Sequence, residues 1–161
     1  MPSAITLDGF DRKILRTLQS EGRISVVELA QRIGLSPTPT QRRIQRLESE
    51  GVIAKYVARL DRRSAGLSLT VFLQLKIDGH HDRNAALMQK RVAEMPEIVS
   101  CHIVSGDADL VAEVVVPDLA AYETFLLDKL FKLGIVKEVR SSISLRALKV
   151  DGPLSVADEN G

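Results

Sequence analysis

The chain has 161 residues, 45% of them hydrophobic and 27% charged, which is ordinary for a folded, water-exposed chain. Its single cysteine excludes an internal disulfide framework, no apolar run approaches the ~18–20 residues that span a bilayer, and with no Trp, 2 Tyr and 4 Phe a base-stacking platform for single strands is not expected. The net charge of +1 hides a split: residues 1–63 carry 12 basic and 7 acidic side chains (net +5), and residues 64–161 carry 10 and 14 (net −4).

Met1 to Asp11 lacks a basic segment followed by an apolar one, so no export signal is expected, and the sparse cysteine usage fits a reducing, cytoplasmic setting. The first helix is expected from about Asp8 to Ser20, with Ile14, Leu15 and Leu18 on one face together with Asp11, and Asp8 as its cap. Ser25 and Glu28 form an S-x-x-E capping box that opens a second helix. Val26, Leu29, Ala30 and Ile33 make its buried stripe, and Gly34 ends it. Ser36 and Pro37 open a third helix that runs to about Glu50. Two short helices joined by so brief a glycine turn predict a helix-turn-helix.

The third helix is two-faced. Thr40, Ile44 and Leu47 share one side, while Thr38, Arg42, Gln45 and Arg46 lie on the other, flanked by Gln41 and Arg43. A helix that reads DNA needs apolar residues toward its supporting helices and donors toward the groove. Arg can bond guanine bidentately, Gln can read adenine, and Ser36 and Thr38 at the helix start can meet phosphate or base edges. The DNA-contacting set is therefore taken as Ser36, Thr38, Thr40, Gln41, Arg42, Arg43, Gln45 and Arg46. A solvated helix face is the plain alternative. Val52 to Asp61 then reads as a wing or linker strand, with Lys55, Arg59, Arg62 and Arg63 near phosphates or simply along a linker.

Every odd position from Leu67 to Ile77 is apolar, the period of a half-buried strand. A polar loop (G-H-H-D-R-N) precedes a helix bearing Ala85, Met88, Val92 and Met95. Ile98 to Val104 and Leu110 to Val116 read as strands around a Gly106-Asp107-Asp109 turn. Pro117-Asp118 opens a helix carrying Leu119, Tyr122, Leu126, Leu130 and Leu133, and a last strand covers about Val136 to Leu148. The order is β-α-β twice, which predicts an antiparallel four-stranded sheet with both helices on one face. The fold class is α+β: a winged helix-turn-helix over 1–63, a ferredoxin-like βαββαβ domain over 64–150, and a weakly ordered tail over 151–161. The apolar strand 67–77 and the uncovered sheet face predict dimerisation through the second domain.

Phosphate-loop, dinucleotide, zincin and C-x-x-C motifs are absent. His80, His81 and Asp82 are too close in sequence to aim together at a metal from a regular element, and Cys101 and His102 should point to opposite faces of one strand. No metal, cofactor or catalytic residue is expected.

Read together, L-D-G-F-D-R-K-I-L, G-R-I-S-V-V-E-L-A-Q-R-I-G-L-S-P-T-P-T, R-I-Q-R-L-E-S-E-G-V-I, C-H-I-V-S-G-D-A-D-L and V-P-D-L-A-A-Y resemble the Lrp/AsnC family of transcription regulators, nearest its leucine-responsive branch, from about Leu7 to Lys149. The resemblance implies sequence-specific binding to double-stranded DNA, homodimers built into higher oligomers such as octamers, and a free amino acid held by the second domain. It places that effector at Ser105, Gly106, Asp107 and Asp109 with Ile103 and Ser142 at nearby strand ends. An acidic side chain there can take the ammonium, and the N–H groups of a glycine turn can take the carboxylate. Ala108, Leu110 and the small Ser141, Ser142 and Ser144 depart from the usual pattern and change the pocket volume, so leucine is not implied as the ligand. Two other functions fit the layout: an enzyme of the sirohaem-decarboxylase type, and an amino-acid sensor acting through protein partners.

Overall fold

The computed structural model describes residues 5–78 and 88–156. The chain divides into two compact units, one made of Met1–Arg59 with Lys149–Gly161 and the other of Leu60–Leu148.

In the first unit, α1 (Gly9–Ser20), α2 (Val26–Ile33) and α3 (Pro37–Ser49) enclose a core of Ile14, Leu15, Leu29, Ile33, Ile44 and Leu47. Each helix begins for a local reason. The Asp8 carboxylate accepts the Phe10 and Asp11 N–H groups at 2.9 Å, and the Asp11 carboxylate accepts the Asp8 N–H at 3.0 Å. Ser25 and Glu28 satisfy each other's N–H groups in the same reciprocal way at the start of α2. Gly34, at φ 77°, takes the left-handed conformation that ends α2, and the Leu35 N–H returns to the Ala30 carbonyl at 2.9 Å. Pro37 then opens α3 from Ser36, whose hydroxyl makes no capping bond.

Two expectations for this unit are corrected. Residues 54–60 form no helix or strand in this chain. Val52 and Ile53 instead pack on the core, and the Tyr56 hydroxyl donates to Glu48 on α3 at 3.0 Å. Burial and that carboxylate push the Tyr56 pKa up to about 12. The C-terminal segment, read from composition as weakly ordered, is docked as far as Val156. Arg16 donates to the Val156 carbonyl at 2.9 Å, Gln19 exchanges hydrogen bonds with the Leu154 backbone, and Arg59 donates to the carbonyls of Val150 and Asp151. The Val156 side chain packs against the helical core. Main-chain groups, which composition does not reveal, carry this docking.

The second unit contains β1 (Leu69–Ile77), helical residues 88–93 (α4), β2 (Ile98–Ile103), β3 (Leu110–Val116), α5 (Leu119–Thr124) and β4 (Val136–Ile143). The sheet order is β2-β3-β1-β4, antiparallel at every pairing, as the double β-α-β reading predicts. Val71, Leu73 and Leu75 alternate into a core with Ala112, Val114 and Val116. The apolarity of β1 is thus absorbed within one chain. On the intervening positions Phe72, which stays exposed, Gln74 and Lys76 pair with Ser142, Arg140 and Glu138.

The last helix is not one regular α-helix. It continues through a π-helical turn, Phe125–Leu130, into a 3-10 turn, Phe131–Leu133. Hydrogen bonds spanning five residues bring positions five apart onto one side, so Phe125 and Leu130 are both buried; Tyr122 in α5 is buried and Leu119 at its start is exposed. Ala85 and the loop with His80, His81 and Asp82 lie outside the described residues.

Candidate nucleic-acid interface and effector loop

Of the residues expected to face DNA, Ser36, Thr38, Arg42 and Gln45 are exposed, and Gln41, Arg43 and Arg46 are half-buried. Thr40 is corrected: it is 0% exposed, and its hydroxyl donates to the Ser36 carbonyl at 3.0 Å. It belongs with Ile44 and Leu47 on the packed side of α3 and cannot reach a groove. Among the described residues, no hydrogen bond or ion pair engages the Arg42 guanidinium or the Gln45 amide, so both are free to bond a base edge or a phosphate.

The other two arginines are engaged. Arg43 Nη1 lies 2.6 Å from Asp8 Oδ2 and 2.8 Å from Asp11 Oδ1, and Arg46 Nη2 lies 2.5 Å from Asp11 Oδ2. The Arg43 guanidinium also lies 5.5 Å from the Phe10 ring centroid, within cation–π range. Burial alone would push the Asp8 carboxyl up, but the Asp11 N–H, the Arg43 guanidinium and the Phe10 N–H outweigh it and hold the group below its ordinary value. A carboxylate that titrates lower in the folded chain than in the unfolded one contributes stability above its ordinary value, near 4, and loses it as pH falls through the folded value. The thermal stability of the first unit is therefore expected to weaken below about pH 4, and Asp8→Asn is expected to flatten that part of the profile. An identical acid limb in the variant would contradict this role.

Asp11 was placed by sequence on the apolar face of α1 but given no partner. The available signal was its position three residues after the cap, where a side chain reaches back to the cap's N–H. Its two arginines lie 32 and 35 residues further on, beyond any local pattern.

In the second unit, Ser105, Gly106, Asp107 and Asp109 lie between β2 and β3, where Gly106 has φ 124° and Asp107 is exposed. The Val104 N–H closes the turn onto the Asp109 carbonyl at 3.0 Å. The β1–β4 register slips at Lys76/Ile77, and the Asp109 carboxylate accepts the Ile77 N–H there at 2.8 Å. Asp109 therefore fastens the sheet end with one oxygen, and among the described residues nothing engages the other. With Ile103, which is 80% exposed, it borders a hollow of about 670 Å³ lined also by Met88, Val92 and Cys101. Asp107 borders a separate small recess with Lys76, Glu138 and Arg140.

Ser142 is not brought to this loop within one chain. It pairs with Phe72 on β4, whereas Ile103 pairs with Leu110, Leu110 with Leu75 and Leu75 with Val139. The two are three strand spacings apart across the sheet, about 14 Å, and offset along β4 as well. Cys101 and His102 pair with Ala112 and Val111 in turn and so alternate across β2. Burial pushes the Cys101 thiol up, which keeps it protonated and poorly nucleophilic. Among the described residues, no three His, Cys, Asp or Glu side chains are grouped to hold a metal ion, and no helix is long and apolar enough to cross a membrane.

A glycine-turned pair of helices presenting a free arginine and glutamine, in one chain with a βαββαβ sheet that carries a glycine-acid loop, defines a DNA-binding regulator with a separate ligand-binding domain. Comparison with known proteins agrees. Residues 7–54 match the family model for a winged helix-turn-helix DNA-binding domain, and residues 70–154 match that for the Lrp/AsnC ligand binding domain. The Bkd operon transcriptional regulator of Pseudomonas aeruginosa is 40% identical over 88% of this chain and 93% of its own length. The leucine-responsive regulatory protein of Escherichia coli K12 is 38% identical over 93% and 92%. The structure of a transcriptional regulator from Neisseria meningitidis in complex with L-Met superposes with a TM-score of 0.88, at 35% identity and over 92% of this chain and 96% of that one. The chain belongs to the Lrp/AsnC family of DNA-binding transcriptional regulators.

Proposed function

We propose that this regulator binds double-stranded DNA through the exposed side of α3 and that a small free amino acid at the 105–109 loop tunes its affinity or its assembly. The observation that carries the reading is the division of α3, with Thr40, Ile44 and Leu47 buried and Thr38, Arg42 and Gln45 exposed. Solvation alone does not call for a free arginine and glutamine side by side with arginines fixed in place by carboxylates. Asp109, with one carboxylate oxygen unengaged among the described residues, and the exposed Asp107 supply acceptors for an ammonium group. The L-Met bound by the Neisseria regulator supports an amino acid as the ligand class. Homodimers that assemble further, working in the cytoplasm, fit the family, and Ser142 can complete the site only from another copy. A regulatory rather than catalytic role fits the relatives, which are named as regulators.

The test is fluorescence anisotropy on a duplex taken from upstream of the chain's own coding region, repeated across salt concentrations. Phosphate contacts make log affinity fall steeply with log salt. A flat profile on every duplex sinks the DNA-binding reading and favours a sensor acting through protein partners. A thermal-shift screen of the twenty amino acids identifies the effector, since a ligand bound only by the folded state raises the melting temperature. Asp109→Ala is expected to abolish the shift while DNA affinity is retained. A variant that still responds normally would move the site elsewhere.

A further inference from the structure

The arginines of α3 divide by what they touch. Asp11 is 1% exposed, in a class of side chain that is almost never fully buried unless paired. Both of its carboxylate oxygens are taken from α3: Oδ1 by Arg43 at 2.8 Å and Oδ2 by Arg46 at 2.5 Å. Arg43 has a second carboxylate, Asp8 at 2.6 Å, and an aromatic ring, Phe10, under its guanidinium. Arg42 lies beside Arg43 in sequence and has none of these. Apart from Glu50 on α3, whose Oε2 lies 3.8 Å from Arg46 Nε, the groups that hold Arg43 and Arg46 lie in the first turn of α1 and its cap. A guanidinium already balanced by a buried carboxylate displaces no counterion from DNA unless that pair first breaks.

We propose that Asp11 is a positioning residue of the DNA-binding surface, holding Arg43 and Arg46 charge-balanced against α1 so that Arg42 is the arginine of α3 that meets the duplex. The number of phosphate-neutralising charges on α3 is then set by a residue on a different helix. Arginines in general attract any duplex, so withholding two of them lowers non-specific affinity and leaves discrimination to Arg42 and Gln45. The proposal rests on the reading of α3 as the DNA-facing helix.

The deciding measurement is the slope of log affinity against log salt, compared across variants of the full-length chain on the upstream duplex and on a scrambled duplex of the same composition. Each phosphate contact contributes about 0.9 to that slope. Arg42→Gln is expected to reduce it by up to about one per bound helix, while Arg43→Gln leaves it at the wild-type value. Asp11→Asn is expected to steepen it, by up to about one per bound helix because Arg43 keeps Asp8 as a partner, and to raise affinity for the scrambled duplex. A structural role alone would change the melting temperature and leave the slope as it was. If Asp11→Asn does not fold, as judged by circular dichroism, the contrast between Arg42→Gln and Arg43→Gln decides the matter. An Arg43→Gln slope as shallow as that of Arg42→Gln overturns the proposal while leaving α3 as the DNA-facing helix. A flat wild-type profile overturns the DNA-facing reading itself and the proposal with it.

Discussion

Leu47→Ala is expected to destabilise the helix-turn-helix unit by about 2–5 kcal/mol, a large share of the about 5–15 kcal/mol that holds a small domain folded. Leu47 is 0% exposed and packs with Ile14, Leu15, Leu29, Ile33 and Ile44. Truncation removes apolar contact and leaves a cavity where α3 meets the other two helices. Urea unfolding followed by circular dichroism checks it: the midpoint falls with little change in slope. The Ile53 N–H also bonds the Leu47 carbonyl at 3.0 Å, so a loosened α3 frees the segment after it. A loss below about 1 kcal/mol, typical of a surface substitution, would contradict this packing.

Arg42→Ala, five residues earlier on the opposite side of the same helix, is expected to do the reverse. Stability should stay within about 0.5 kcal/mol, because the guanidinium has no partner among the described residues. Affinity for the upstream duplex should fall by about 1–3 kcal/mol, or roughly 5- to 150-fold, if Arg42 reads a base. The scrambled duplex separates the two kinds of contact. A base reader loses affinity mainly on the true site, whereas a phosphate contact loses it on both. Unchanged affinity on both duplexes would remove Arg42 from the interface.

Much of the architecture was legible because its causes are local. The Ser25–Glu28 capping box and Gly34 are short-range devices, and the helix they bound matches the one expected. The alternation over Leu67 to Ile77 gave β1 within two residues, and the β-branched run gave β3 as Leu110–Val116. What was missed has distant causes. Asp11 reads as an ordinary first-turn acid until α3 brings two guanidinium groups to it. Thr40 was grouped with the DNA-facing residues although its own spacing put it beside Ile44 and Leu47. A hydroxyl on that side is satisfied by the carbonyl one turn back, so its polarity was a poor guide to its direction. The π turn at Phe125–Leu130 and the docking of residues 150–156 depend on backbone hydrogen bonding. The candidate effector loop was found through its glycine and acids, but the Ile77 N–H held by Asp109 follows from a register slip on another strand.

Because the segment after β4 rejoins α1, the polypeptide passes between its two units twice, at 59/60 and again at 148/149. The helix-turn-helix precedes the sheet in the chain yet takes contacts from Leu154 and Val156, which follow the sheet. A protease that cuts at the first crossing alone leaves the fragment 1–59 still holding those residues, which stay covalently attached to the sheet. Such a nick appears as two bands on a denaturing gel and as one particle in native solution, and a second cut near residue 149 is what releases the helices.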